Sequence, residues 1–229
     1  MPASDLHADR LRRLTDARLY LVCDALPGGH GLGDFLPRAI AGGVEIVQLR
    51  EKGCNWHEDP YDRLFLREAT GHAAELCKEH GVLFVVNDYP EVAVEIGADG
   101  VHVGQDDMPV AEVRAIVGPD MLVGLSTHTP DEIDAVDPTL VDYIGVGPVH
   151  ATPTKRGRPA VGLELVRYAS SHARVPFFAI GGLHADNVGE VLAAGAARVC
   201  VLRAVADTDD PRRAARELRE SIGERPLEV

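Results

Sequence analysis

The chain is short of aromatic residues: one Trp, five Tyr and five Phe among 229 residues. Trp56 and the few others form no stacking platform for single-stranded nucleic acid. Positive charge is scarce too, with 23 Lys and Arg against 36 Asp and Glu, a net charge of −13. That excludes a general binder of nucleic acid or anionic membrane, since both need a basic face. It does not exclude a small anionic ligand, because salt screens a distant acidic surface beyond ~10 Å. No apolar run approaches the ~18 residues of a membrane span. The opening MPASDLHADRLRRLTDA has no apolar core, so no signal peptide is expected. Cys23, Cys54, Cys77 and Cys200 include no CxxC pair, which predicts reduced thiols and a cytoplasmic location rather than a disulfide framework. HExxH, zinc-type Cys/His spacing and a nucleophile elbow are all missing.

What is present is alternation. Apolar, β-branched runs at 18–24, 45–51, 83–88, 100–105, 122–126, 143–149, 175–182 and 198–204 read as strands buried on both faces. Helical patterns separate them. Over 59–80, Tyr61, Leu64, Phe65, Ala69, Ala73 and Leu76 fall at helical spacing and predict one apolar face. Thr129, Pro130 and Glu132 read as an N-cap, a first-turn proline and a capping-box glutamate. Asp210-Pro211 opens the last helix, with Ala214, Leu218 and Ile222 as its stripe, and residues 4–15 predict an extra N-terminal helix. A glycine followed by a strand recurs as GGVEIV at 42–47, GADGVHV at 97–103 and GAARVCV at 195–201. These spacings give roughly 25–28 residues per unit, and eight units nearly fill the chain. The expectation is a (β/α)8 TIM barrel over 1–229 as one domain. An open doubly wound sheet is second, since ALPGGHG after the first strand lacks the GxGxxG fingerprint.

In such barrels chemistry sits at the C-terminal strand ends. The second strand ends with Gln48, Arg50 and Lys52 on one face, a fork and an ammonium suited to phosphate, or else a solvated charge run paired with Glu51. Asp88 and Asp107 follow the third and fourth strands. They could share a divalent cation such as Mg2+ with phosphate oxygens, or cap the helices opening at Pro90 and Pro109. The loop 147–162 carries Thr152, Thr154, Lys155, Arg156 and Arg158, which fits an anion clamp or a disordered loop. Gly145 and Gly147 would leave room inside the rim. Gly182 suits a backbone phosphate site or a simple turn, close to Leu202 and Arg203. His102, inside an apolar strand, reads as a core histidine; His128 fits ligand contact or capping. Two anion sites in one mouth suggest transfer or condensation between two phosphorylated groups.

The segments QLREK (48–52), VVND (85–88), GADGVHVGQDD (97–107), GLSTHT (124–129), VGPVHATPTK (146–155) and IGGLHADN (180–187) resemble the thiamine phosphate synthase family in order and spacing, over about 18–222. The resemblance implies a (β/α)8 transferase. It joins 4-amino-2-methyl-5-hydroxymethylpyrimidine pyrophosphate to 4-methyl-5-(2-phosphoethyl)thiazole, giving thiamine monophosphate and pyrophosphate. It implies that Gln48, Arg50, Lys52, Asn87, Ser126 and Lys155 bind the pyrimidine pyrophosphate and that Asp88 and Asp107 hold Mg2+. Thr152, Thr154, Gly182, Leu202 and Arg203 would surround the thiazole phosphate. Leu49, Glu51 and Pro153 complete the expected substrate contacts. Arg50, Lys52, Ser126 and Lys155 would carry catalysis in a dissociative substitution that needs no general base. Tyr89 and Arg203 depart from the family, which often has arginine and serine there, and Cys54–Trp56 makes the second loop unusual. A thiazole tautomerase-like isomerase and a non-catalytic thiamine-phosphate binder are the alternatives. Small-molecule substrates are expected as partners, without nucleic acid or membrane, and a homo-oligomer is left open.

Overall fold

The computed structural model describes residues 5–151 and 160–223. Eight parallel strands close a barrel in chain order: β1 (Leu19–Cys23), β2 (Ile46–Leu49), β3 (Leu83–Asn87), β4 (Gly100–Val103), β5 (Leu122–Thr127), β6 (Tyr143–Val146), β7 (Phe177–Ile180) and β8 (Val199–Val201). Pairing of β8 with β1 shuts the ring, with Leu19 opposite Val199. The helices are α1 (Asp5–Asp16), α2 (Leu32–Ala41), α3 (Pro60–Glu79), α4 (Pro90–Glu95), α5 (Val110–Val117), α6 (Pro130–Asp134), α7 (Gly162–His172), α8 (Val188–Ala193), α9 (Arg203–Ala206) and α10 (Pro211–Ile222), and a 3-10 turn lies at Pro27–Gly29. No described helix is long and apolar enough to cross a membrane.

The continuous apolar strands follow from two cores. Leu19, Leu21 and Cys23 point outward against Phe35 and Leu36 of α2. Tyr20 and Val22 point into the lumen with Ile46, Val85, Tyr143 and Phe178. The predicted N-terminal helix is α1. It lies beneath the barrel, where Leu14 is fully buried and Ala17 joins the lumen core. Arg10 fastens it by bonding Asp99 (3.0 Å) and the carbonyl of Asp120 (3.1 Å).

The sequence echo has a physical cause at this lower rim. Glu45, three residues beyond Gly42, accepts the amides of Arg18 and Leu19 at the start of the preceding strand (2.7 and 3.1 Å). Asp99 does the same for Phe84 (3.0 Å), and Asp142 for Val123 (2.7 Å). An acid entering one strand thus satisfies an amide of its neighbour. The third copy carries Arg198 instead, which donates to the Thr15 carbonyl below (2.9 Å).

Two helix faces differ from expectation. On α3 the buried stripe is Leu66, Thr70, Ala73 and Cys77. Tyr61, Leu64 and Phe65 are 82%, 52% and 44% exposed, so half of the predicted apolar face points to solvent. On α10, Ala215 rather than Ala214 joins the buried Leu218 and Ile222. The caps at α6 and α10 match expectation: Thr129 accepts from Glu132 N (3.1 Å) and Asp210 from Arg213 N (3.1 Å).

Candidate active site

The upper strand ends open into a cavity of about 340 Å³. Gln48 leaves β2 facing it, and the alternation continues past the strand so that Arg50 and Lys52 line it as well. Lys52 Nζ bonds Asp88 Oδ2 at 2.7 Å. Asp88 has φ +66°, a left-handed backbone unusual for a residue with a side chain. This turn brings its carboxyl toward Asp107. Neither carboxylate caps a helix. The residue preceding α4 is Tyr89 and that preceding α5 is Pro109. Asp107 instead accepts the Gly104 amide (2.7 Å). Burial raises the Asp88 carboxyl above its usual range, with Lys52 opposing. Burial pushes Asp107 the same way, but the Gly104 amide, the Asp88 carboxyl and Lys52 hold it lower. The two carboxyls therefore shift in opposite directions beside the Lys52 ammonium. Burial lowers Arg50 against the pull of Asp88 and Asp107. An arginine keeps its charge through such a shift.

A polar chain crosses the cavity floor. Gln48 Nε2 donates to Tyr20 Oη (2.7 Å), and Tyr20 Oη bonds Tyr143 Oη (2.9 Å). Tyr143 Oη meets His102 Nδ1 (3.2 Å), and His102 Nε2 meets Ser126 Oγ (3.0 Å). Gly124 makes room for this chain: a Cβ there would sit 2.2 Å from Tyr143 Cζ and 2.4 Å from His102 Nδ1. His102 is thus not a self-contained core histidine; it lines the cavity and aims Ser126. Tyr20 and Tyr143 escaped the sequence reading. A signal existed, since buried polar tips at lumen positions of apolar strands require partners. Asn87 is 7% exposed and its amide nitrogen has no hydrogen-bond partner among the described residues, although it lines the cavity. An acceptor on a ligand would satisfy it.

A second cavity of about 330 Å³ adjoins the first, and Ile180, Cys200 and Leu202 line both. Gly147, Gly181, Gly182 and Arg203 line the second alone. Gly182 has φ +66°, and a Cβ there would lie 2.8 Å from that of His150, so the bare backbone faces the opening. Gly147 is fixed by packing as much as by space, since a Cβ would collide with the Ile180 carbonyl. Arg203 is exposed at the start of α9. Two expected contacts point elsewhere. Leu49 faces the helical layer, and Glu51 turns back to accept the Ala25 amide. Thr152, Pro153, Thr154 and Lys155 lie outside the described residues.

Among the described residues, no cluster of three or more His, Cys, Asp or Glu could hold a metal alone. Mg2+ needs fewer protein ligands, taking one or two carboxylates with water and phosphate oxygens. Asp88 and Asp107, both lining the open cavity, fit that donor set.

A closed (β/α)8 barrel with cations, a carboxylate pair and a glycine-lined cavity at its upper rim has the layout of a barrel enzyme. The family model for thiamine monophosphate synthase matches residues 19–205. The thiamine-phosphate synthase of Acidothermus cellulolyticus is 48% identical over 206 residues, covering 89% of this chain and 94% of the relative. That of Thermobifida fusca is 47% identical over 213 residues, covering 92% and 94%. Among solved structures, the thiamine phosphate pyrophosphorylase of Pyrococcus furiosus superposes with a TM-score of 0.79 at 30% identity, covering 92% of this chain and 97% of the other. The chain belongs to the thiamine monophosphate synthase family and is a transferase.

Proposed function

We propose that the two adjoining cavities receive the two substrates, the pyrimidine pyrophosphate in the polar one and the thiazole phosphate in the other. The observation that carries this is their shared wall of Ile180, Cys200 and Leu202, which sets two pockets side by side. Gln48, Asn87 and Ser126 orient the pyrimidine half. Ser126 is held by His102 and Gln48 by Tyr20, so both arrive preorganised. Arg50 and Lys52 face the pyrophosphate, with Lys155 assigned from sequence to the same task. Asp88 and Asp107 hold Mg2+, which when bound supplies positive charge to the departing pyrophosphate. Gly182, Leu202 and Arg203 surround the thiazole phosphate, Arg203 offering a guanidinium, with Thr152 and Thr154 assigned from sequence.

The chemistry that suits these groups is dissociative. The C–O bond to pyrophosphate breaks, its electron pair leaves with the pyrophosphate, and the thiazole nitrogen bonds the exposed methylene carbon. That nitrogen carries no proton, so no general base is needed, and the cations act by fixed electrostatics. The four free thiols support a reducing, cytoplasmic setting.

The test supplies both substrates with Mg2+ and follows pyrophosphate and thiamine phosphate together. Arg50→Ala is expected to lower single-turnover rate by ~10²–10³-fold, as loss of one charge-stabilising donor does. Wild-type rates in that variant, or full activity of the Asp88→Ala, Asp107→Ala double variant in EDTA, would remove those residues from the account.

A further inference from the structure

The connection between β2 and α3 is tied into a knot just beyond Lys52. Arg63 Nε donates to the Trp56 carbonyl (3.1 Å), and its guanidinium lies 5.6 Å from the centre of the Trp56 ring. The Asn55 amide donates to Asp62 Oδ2 (2.7 Å), and Asn55 Nδ2 to Glu58 Oε2 (2.8 Å). Two hydrogen bonds join this segment to the end of β3. One is Lys52 to Asp88; the other runs from Tyr89 Oη to the Cys54 carbonyl (2.7 Å). Consecutive residues 88 and 89 thus grip residues 52 and 54. Trp56 packs on Tyr89, with ring centres 6.3 Å apart.

The two grips are unequal. Ligand binding uses up the first, because Lys52 must turn to phosphate and Asp88 to a cation. The residue next to Lys52, Gly53, has φ +120° and brings no side chain to pack beside it. Tyr89 remains. Its phenol donates to the Cys54 carbonyl whichever way Lys52 and Asp88 turn.

We propose that Tyr89 is a positioning residue that, by holding the Cys54 carbonyl, keeps Lys52 over the polar cavity once the Lys52–Asp88 pair opens. This rests on the reading of Lys52 and Asp88 given above. A loop already in place spares the ligand the ordering of that segment, so the effect falls on binding.

Tyr89→Phe keeps the ring against Trp56 and removes only the donor. Its KM for the pyrimidine pyrophosphate is expected to rise roughly fivefold, the worth of one hydrogen bond, with kcat held within about twofold. Trp56 is the one tryptophan of the chain, so fluorescence anisotropy reports this segment directly. Without ligand, Tyr89→Phe and wild type should match. With Mg2+ and inorganic pyrophosphate, anisotropy should fall in Tyr89→Phe and hold in wild type. A wild-type KM, a fall in kcat at unchanged KM, or a lowered anisotropy before ligand is added would each overturn the proposal. Lys52→Ala separates the two levels. Weakened pyrophosphate binding there beside wild-type behaviour of Tyr89→Phe discards the tether alone, whereas unweakened binding in Lys52→Ala discards the site reading itself.

Discussion

Gly124, Tyr143 and His102 occupy one small volume on three neighbouring strands, and each depends on the others' size. Gly124→Ala forces a methyl into Tyr143 and His102, so it is expected to destabilise by ~1–3 kcal/mol and to free Ser126 from its partner. Urea unfolding and steady-state kinetics read the two effects separately. Tyr143→Phe keeps the volume but removes the oxygen joining Tyr20 to His102, with an expected cost of ~1–3 kcal/mol. Cys77 shows what burial does to a lone thiol. Burial and then Asp99 push it up to about 12. Below the ordinary thiol value both folded and unfolded chains keep the proton, and the contribution is intact. Above it only the unfolded chain ionises, so stability falls as pH rises toward 12. Unfolding midpoints at about pH 8 and about pH 10.5 should diverge less in Cys77→Ala than in wild type.

At the scale of elements, α3 makes the sharpest test. Leu66 is 2% exposed against the barrel and Phe65 is 44% exposed beside it. Leu66→Ala is expected to cost ~2–5 kcal/mol and Phe65→Ala under about 1 kcal/mol, read by chemical unfolding. Periodicity chose a face only half of which is covered: Ala69, Ala73 and Leu76 pack on the core while Tyr61, Leu64 and Phe65 face solvent. A helix with large apolar residues on two faces gives no sign of which one its neighbours cover; the barrel settles it with small residues, Thr70, Ala73 and Cys77. The strands were legible because burial on both faces leaves continuous apolar runs, and caps were legible because their partners lie within three residues. Site residues that alternate along one strand, such as Gln48, Arg50 and Lys52, were readable for the same local reason. The Tyr20–Tyr143 contact was not, since it joins residues 123 positions apart. Asp88 and Asp107 stood equally well as caps or as ligands until the backbone turned both into the cavity.

For the whole molecule, charged side chains do different work at the two ends of the barrel. Glu45, Asp99 and Asp142 hold strand amides at the lower rim, while Arg50, Lys52 and Arg203 stand at the upper one. The net charge of −13 is therefore a poor guide to the ligand, which meets only the upper rim. Contact of anionic substrates with Arg50, Lys52 and Arg203 predicts that substrate KM rises with ionic strength while the unfolding midpoint changes little, since the lower locks are partly buried. Paired kinetics and melts across a salt series check it.

The helix beneath the barrel has a consequence for traffic. Leu14 and Ala17 pack into the lumen core at the lower end, and both cavities lie at the upper one, the door on which the proposed substrates converge. Two reactants must go in by that door and two products must come out by it. A thiamine phosphate lying across both cavities bars entry to either reactant, so it should inhibit competitively against each.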